Sequence, residues 1–199
     1  MLKRLFDLTL SGFGLILLSP FFIAFALWVG FDSPGPVFYR GVRASKNFKP
    51  FRIYKFRSMV VNAEAIGGPS TPGDDSRVTK SGRFLRRFKL DELPQLINVF
   101  KGEMSLVGPR PEVMEYASLY TGEEKIVYSI KPGMTDYASL WNIDEGAVLA
   151  GAKTTEEAEQ KYLTEIRPEK VRLQMKYVKE MSFWTDLKIF LLTVKNIFF

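Results

Sequence analysis

"LTLSGFGLILLSPFFIAFALWVGF", residues 8–31, is a run of 24 residues without a charge, set between Asp7 and Asp32. At about 1.5 Å per residue it is long enough to cross the hydrocarbon core of a bilayer. A cleaved secretory leader fits less well, because no small-residue cleavage site follows and the chain runs on into "DSPGPVFYR". Ser19-Pro20 interrupts the run. Proline inside a helix removes a hydrogen bond and clashes with the turn before it, so a bend is expected there. The charges around the run decide between a kinked span and a loop that returns. Lys3 and Arg4 precede it; Arg40, Arg43, Lys46, Lys49, Arg52, Lys55 and Arg57 follow. Positive flanks belong on the cytoplasmic side. A straight span violates that rule at one end, whereas a helix that enters, breaks at Ser19-Pro20 and comes back violates it nowhere. Residues 1–32 are therefore expected to be a re-entrant anchor, with the Ser19 hydroxyl covering a carbonyl freed near Pro20. Residues 33–199 are expected to form a cytoplasmic, membrane-associated domain.

The rest of the composition narrows the chemistry. The 199 residues carry a formal charge of +6, which points to an anionic partner. Cys and His are both absent. Thiol chemistry, disulfides, the usual triads and the commonest general base are thereby excluded. Catalysis would fall to carboxylates, Lys, Arg, Tyr, Ser or a hard cation such as Mg²⁺. Nucleic acid fits poorly as a partner for a chain with so long an uncharged apolar segment.

Residues 33–41 read as a turn and a short strand. "FKPFRIYKFRSM" reads as a strand with one basic face that carries Lys55 and Arg57. Residues 67–76, "GGPSTPGDDS", are a loop by composition, and 81–90 a helix. In "SLVGPRPE", residues 105–112, Pro109 and Pro111 restrict the chain on either side and aim Arg110. A helix is expected at about 112–121, and a charged helical stretch with a solvated face at 154–181. The last helix, 182–198, is nearly apolar all round but holds Lys188 and Lys195, so a core or interfacial position suits it better than a span.

"LRRFKLDELPQLINVFKG", residues 85–102, is the chemical centre of the sequence. Leu93, Leu96, Ile97 and Phe100 fall on one helical face, and Gly102 is a natural stop. Pro94 is tolerated only in a first turn, so the helix is expected to begin near Glu92 with Asp91 at its N-cap. An isolated Asp in that place is usually a cap and nothing more. The adjacent Glu92, the cations Arg86, Arg87 and Lys89, and the positive end of the helix suit an ionised carboxylate that attacks phosphorus or binds Mg²⁺.

The chain resembles the bacterial sugar transferases, the small monotopic phosphoglycosyl transferases. The resemblance runs through "LKRLFDL", "LLSPFF", "GPVFYR", "FRIYKFRSM", "DDSRVTKSGRFLRR", "LDELPQLINVFKGEMSLVGPRPE", "IKPGMT" and "YVKEMSFWTDLKIFLLTVK". It implies an α+β fold: a mostly helical compact domain with a short strand element, a broken re-entrant helix and interfacial amphipathic helices. It implies transfer of a sugar-1-phosphate from a nucleotide diphosphate sugar, usually a UDP-sugar, to polyprenol phosphate at the cytoplasmic face of the bacterial inner membrane, with release of UMP. Asp91 matches the nucleophile, which forms a phosphosugar-aspartyl intermediate; Glu92 completes the dyad, and the two serve Mg²⁺. Arg86 and Arg110, with Pro109 and Pro111 and the basic-face residues Lys55 and Arg57, are the expected phosphate or substrate contacts. One segment departs from the family pattern. Where members commonly continue "KPGITG" into "WAQVNGRN", this chain has "KPGMTDYASLWNIDEGAVLAGAKTTEEAEQKYL". Nucleotide and sugar preference are therefore not implied. The competing reading from the residues is a non-catalytic basic membrane module that recruits anionic partners.

Overall fold

The computed structural model describes residues 1–63, 75–142 and 154–198. Most of the loop expected at 67–76, and the middle of the divergent insert, lie outside these. Helix α1 (Leu2–Leu17) and helix α2 (Ser19–Asp32) meet at Leu18 and are bent by 62°. The break has the expected chemistry. Pro20 cannot donate to Ile16, and the Ser19 hydroxyl donates to that carbonyl instead, at 2.8 Å. Among the described residues no single helix is long and apolar enough to cross a membrane.

The fully buried residues of α1 are Asp7 and Ser11; Phe6, Leu10 and Leu15 pack beside them on the main core, while Leu5, Phe13, Ile16 and Leu17 face outward. Each inward polar group is matched. The Asp7 carboxylate accepts from the Ser105 hydroxyl and from the Leu106 amide at 2.9 Å. Lys3 donates to the Val107 carbonyl at 2.8 Å and pairs with Asp186 at 2.6 Å. Arg4 donates to the carbonyls of Val99 and Phe100, at the end of a helix where a cation is favoured. At the far end of the pair, Asp32 accepts from the Ser81 amide and hydroxyl, both at 2.9 Å. The backbone bond from Ser81 holds its carboxyl below the usual aspartate range. Both ends of the bent pair are thus fastened to the same body.

The basic strand expected at 51–57 is two strands. β1 (Phe38–Tyr39) pairs with β4 (Lys55–Phe56), and β2 (Val42–Ala44) with β3 (Pro50–Arg52), all antiparallel. The register runs through both pairs, from Phe38 opposite Phe56 to Ala44 opposite Pro50, so this is one hairpin interrupted in the middle. The interruption has a cause: the Tyr54 amide leaves the ladder and donates to Asn98 Oδ1 at 2.8 Å.

Helix α3 (Lys80–Arg87), capped by Thr79, leads through a left-handed Lys89 into a 3₁₀ turn at Leu90–Glu92 and then helix α4 (Gln95–Lys101), which Gly102 ends in the left-handed region. The expected face of α4 is corrected. Gln95, Leu96, Asn98 and Val99 are buried, and Phe100 is half exposed. α4 has neighbours on two sides. α1 lies close along Leu96 and Phe100, and the hairpin is bonded to Asn98. A one-face pattern could not anticipate that.

Strand β5 (Ser105–Val107) pairs in parallel with β6 (Gly133–Thr135). Between them lie the short helix α5 (Met114–Ala117), less than half the length expected, and a 3₁₀ segment at Gly122–Ser129. Helices α6 (Tyr137–Trp141), α7 (Thr155–Lys161), α8 (Arg167–Glu180) and α9 (Phe183–Phe198) complete the described chain, with a π-helical turn joining α7 to α8. The solvated face expected for 154–181 is present, with Glu165, Arg172, Lys176 and Lys179 exposed, and α8 has a second face on which Lys170, Val171, Gln174 and Tyr177 are buried. The main core gathers Leu96, Val99, Leu106, Val107, Tyr177 and Ile189 where α4, β5, α8 and α9 meet. The whole is mostly helical α+β, with three two-stranded pairings among the described residues.

Candidate active site

Leu90 packs into a cluster with Phe56, Leu85 and Val29, and this seats the 3₁₀ turn that carries the two carboxylates. Asp91 is not the N-cap of α4. That place is Pro94, and the helix begins at Gln95. The difference matters chemically. A cap carboxylate spends its oxygens on backbone amides. Among the described residues no group donates a hydrogen bond to the Asp91 carboxylate, although the residue is 6% exposed.

Glu92 has the opposite surroundings. Lys55 donates to its Oε1 at 2.8 Å, and the Arg110 guanidinium takes both oxygens, reaching Oε2 at 3.0 Å. Burial alone would raise the Glu92 carboxyl, but Arg110 and Lys55 outweigh it and hold the group well below the usual glutamate range. Burial pushes Asp91 up, and the charge of Glu92 pushes it further, against the pull of Lys55, Arg86 and Lys89. Two adjacent carboxylates are thereby made unlike: one fixed and ionised, one unbound and basic. Burial lowers the Lys55 ammonium, with Glu92 and Asp91 opposing.

The structure brings five of the expected residues to one place: Asp91, Glu92, Lys55, Arg110 and Arg86. Arg86 stands in the last turn of α3, and its charge acts on both Asp91 and Asp75. Pro109 and Pro111 line a small cleft with Tyr128, Ile130 and Pro132 beside Arg110. Arg57 is placed elsewhere. It is buried, and its guanidinium donates to Ser33 and to the Val29 carbonyl near the end of α2. Its neighbour two positions back, Lys55, takes the site role; the sequence could not separate the two. Ser19 and Pro20 make the helix break. Among the described residues no cluster of three or more His, Cys, Asp or Glu exists. The donor set nevertheless suits Mg²⁺ in phosphate chemistry, where one or two carboxylates suffice and substrate phosphates and water complete the shell. Asp91, which has no competing donor, fits that place, with Glu92 beside it.

Sequence reasoning missed Glu112 and Lys170. They form a buried ion pair at 2.8 Å next to the arginine loop. Glu112 closes the quoted "SLVGPRPE", so a signal was present; a lysine in a charge-rich helix gives none.

A buried carboxylate that accepts no hydrogen bond among the described residues thus stands among cations, beside a bent apolar helix pair. The sequence pattern of the family described as bacterial sugar transferase matches residues 1–199. The chain is 38% identical over 196 residues to the uncharacterized sugar transferase EpsL of Bacillus subtilis (strain 168), covering 98% of this chain and 87% of that one. It is 39% identical over 200 residues to the UDP-glucose:undecaprenyl-phosphate glucose-1-phosphate transferase of Escherichia coli (strain K12), with 98% of this chain aligned. It is 33% identical over 199 residues to the UDP-N-acetylgalactosamine-undecaprenyl-phosphate N-acetylgalactosaminephosphotransferase of Aeromonas hydrophila, again with 98% aligned. The chain spans 39% and 43% of the length of these last two. With the match running over residues 1–199, the chain belongs to the bacterial sugar transferase family.

Proposed function

We propose that this protein transfers a sugar-1-phosphate from a UDP-sugar to polyprenol phosphate, giving polyprenol diphosphosugar and UMP. The observation that carries the reading is the Asp91 carboxylate: buried, raised, and with no hydrogen-bond donor on it among the described residues. Two relatives named as UDP-sugar:undecaprenyl-phosphate phosphotransferases supply the substrate classes.

Asp91 attacks the phosphorus that bears the sugar. The new bond is Asp91 oxygen to phosphorus; the bond to the other phosphate breaks, and UMP leaves with its electrons. A phosphate oxygen of the polyprenol phosphate then attacks the phosphosugar-aspartyl group and returns Asp91 to its carboxylate. Arg86, Lys55 and Arg110 offset charge that gathers on the phosphate oxygens. Glu92 holds Lys55 and Arg110 in place. Bound Mg²⁺ would neutralise diphosphate charge and orient the leaving phosphate.

The anchor is read as re-entrant, on the cytoplasmic face of the inner membrane. Its outward side chains are apolar, and both its ends are fastened to one body by polar and charged groups. A recruitment module would have no use for a buried carboxylate pair of unequal basicity.

Two experiments test the reading. A panel of UDP-sugars with polyprenol phosphate in liposomes is expected to give UMP release with at least one sugar. EDTA is expected to abolish it and added Mg²⁺ to restore it; activity unchanged in EDTA removes the cation from the mechanism. For topology, tags at residues 1 and 199 are expected to resist an impermeant reagent in spheroplasts and to react once the membrane is opened. Labelling of only one tag before opening would mean that the helix pair crosses.

A further inference from the structure

We propose that Glu112 and Lys170 are positioning residues for Arg110: their buried ion pair fixes the far end of the Pro109–Pro111 loop and so sets where the arginine meets Glu92. This rests on the transferase reading above.

Arg110 gains its place from its loop, and the loop is tied at both ends. On the near side the Gly108 amide donates to the Thr135 carbonyl, and the Gly133 amide to the Pro109 carbonyl, both at 2.9 Å. On the far side the Glu112 carbonyl accepts from the Ala44 amide at 2.9 Å, which fastens the backbone to β2. The Glu112 side chain then turns inward. Its Oε1 lies 2.8 Å from Lys170 Nζ and accepts from the Tyr162 hydroxyl at 3.2 Å, and Lys170 also lies 3.2 Å from that hydroxyl. Tyr162 is itself held, stacked on Tyr116 at 4.7 Å between ring centres. Both charged side chains are less than a tenth exposed.

A buried ion pair is poor value for stability alone, since well-packed apolar residues of similar size often do as well or better. What it supplies is direction: two charges meet in one geometry only. Pro111 is the sole residue between Arg110 and Glu112, and its ring fixes φ. Little freedom remains between the buried carboxylate and the arginine backbone. Lys170 thus acts through Glu112 and Pro111 on Arg110, and through Arg110 on Glu92.

The test uses the full chain in liposomes, with K170M, E112M/K170M and K170R, and an R110A background. K170M alone leaves Glu112 buried without its partner and is at risk of unfolding. E112M/K170M removes both charges and is expected to fold, with melting near wild type. Its kcat/KM for the UDP-sugar is expected to fall about 10- to 100-fold, the scale of a displaced positioning group. K170R is expected to recover part of that loss. In an R110A background, E112M/K170M is expected to cost almost nothing further. A second readout needs no activity: phenylglyoxal modification of Arg110, read by mass spectrometry, is expected to quicken in E112M/K170M while that of Arg4 stays unchanged. A folded double variant with wild-type kcat/KM and unchanged Arg110 labelling would overturn the proposal. So would a loss equally large with and without Arg110. Absence of UMP release from wild type would count against the transferase reading, and the labelling would still decide the positioning role.

Discussion

Asp91→Asn is expected to cut UMP release by on the order of 10³-fold or more, because it removes the proposed nucleophile, and at the same time to raise the melting temperature. Most buried substitutions at a site cost stability; this one should not. Burial and the neighbouring Glu92 hold the Asp91 carboxyl above its ordinary value of 3.8. Above that raised value the folded protein carries an ionised group at a cost, and this cost is absent from the neutral amide. The cost is fully present above the raised value. It declines as pH falls through that value and is gone below 3.8, where Asp91 is protonated folded or unfolded. The melting gap between variant and wild type, measured in EDTA, should thus be widest above the raised value and close in acid. Glu92→Gln should behave in the opposite way. Glu92 is held below its ordinary 4.5, so its ion pairs with Arg110 and Lys55 stabilise the fold above 4.5 and are lost only as pH drops through the depressed value. An Asp91→Asn protein that melts well below wild type at neutral pH would mean that the carboxylate is a structural member, with partners in solution that the fold does not show.

Gly133→Ala is expected to be among the most destabilising single-methyl changes. A Cβ at Gly133 would lie 2.1 Å from the Gly108 amide nitrogen and 2.5 Å from its Cα. Both are backbone atoms, so no side chain can move aside. β5 and β6 would have to part. Overpacking against backbone costs about 3 kcal/mol, the upper end for added methyl groups, which is about 10 °C in melting for a chain of this size. The damage should also reach the chemistry, since β5 runs straight into the loop that aims Arg110. Calorimetry and UMP release measure the two effects. Wild-type melting together with wild-type turnover would show that the close β5–β6 pairing is not needed to hold the loop.

The sequence reveals what depends on neighbours along the chain. Pro20 and Ser19 are adjacent, so the break and its substitute hydrogen bond are legible in the residues themselves. The flanking positive charges tell which way the second helix returns, and that part rests on the labelling experiment. Asp91 and Glu92 are adjacent too, and the absence of His and Cys leaves few other candidates beside them. The errors share a different cause. Asp91 reads as a helix cap because Pro94 allows a start nearby, but packing of Leu90 against Phe56 and Leu85 prefers a 3₁₀ turn first. Phe100 reads as core because its spacing is helical, yet α4 is gripped on two sides and Phe100 is left half exposed.

Sequence alone, then, determined the adjacent carboxylate pair, the bent apolar element and the basic character of the surroundings, since each is a property of residues close in the chain. Only the tertiary structure decided the surroundings of each carboxylate. Glu92 draws Lys55 from 37 positions upstream and Arg110 from 18 downstream, and no local pattern encodes such pairings. The same holds for Arg57, spent on α2, and for Lys170, drawn inward beneath the arginine loop. A charge in a sequence is only a valence; its basicity and its task come from the dielectric and the partners that folding places around it.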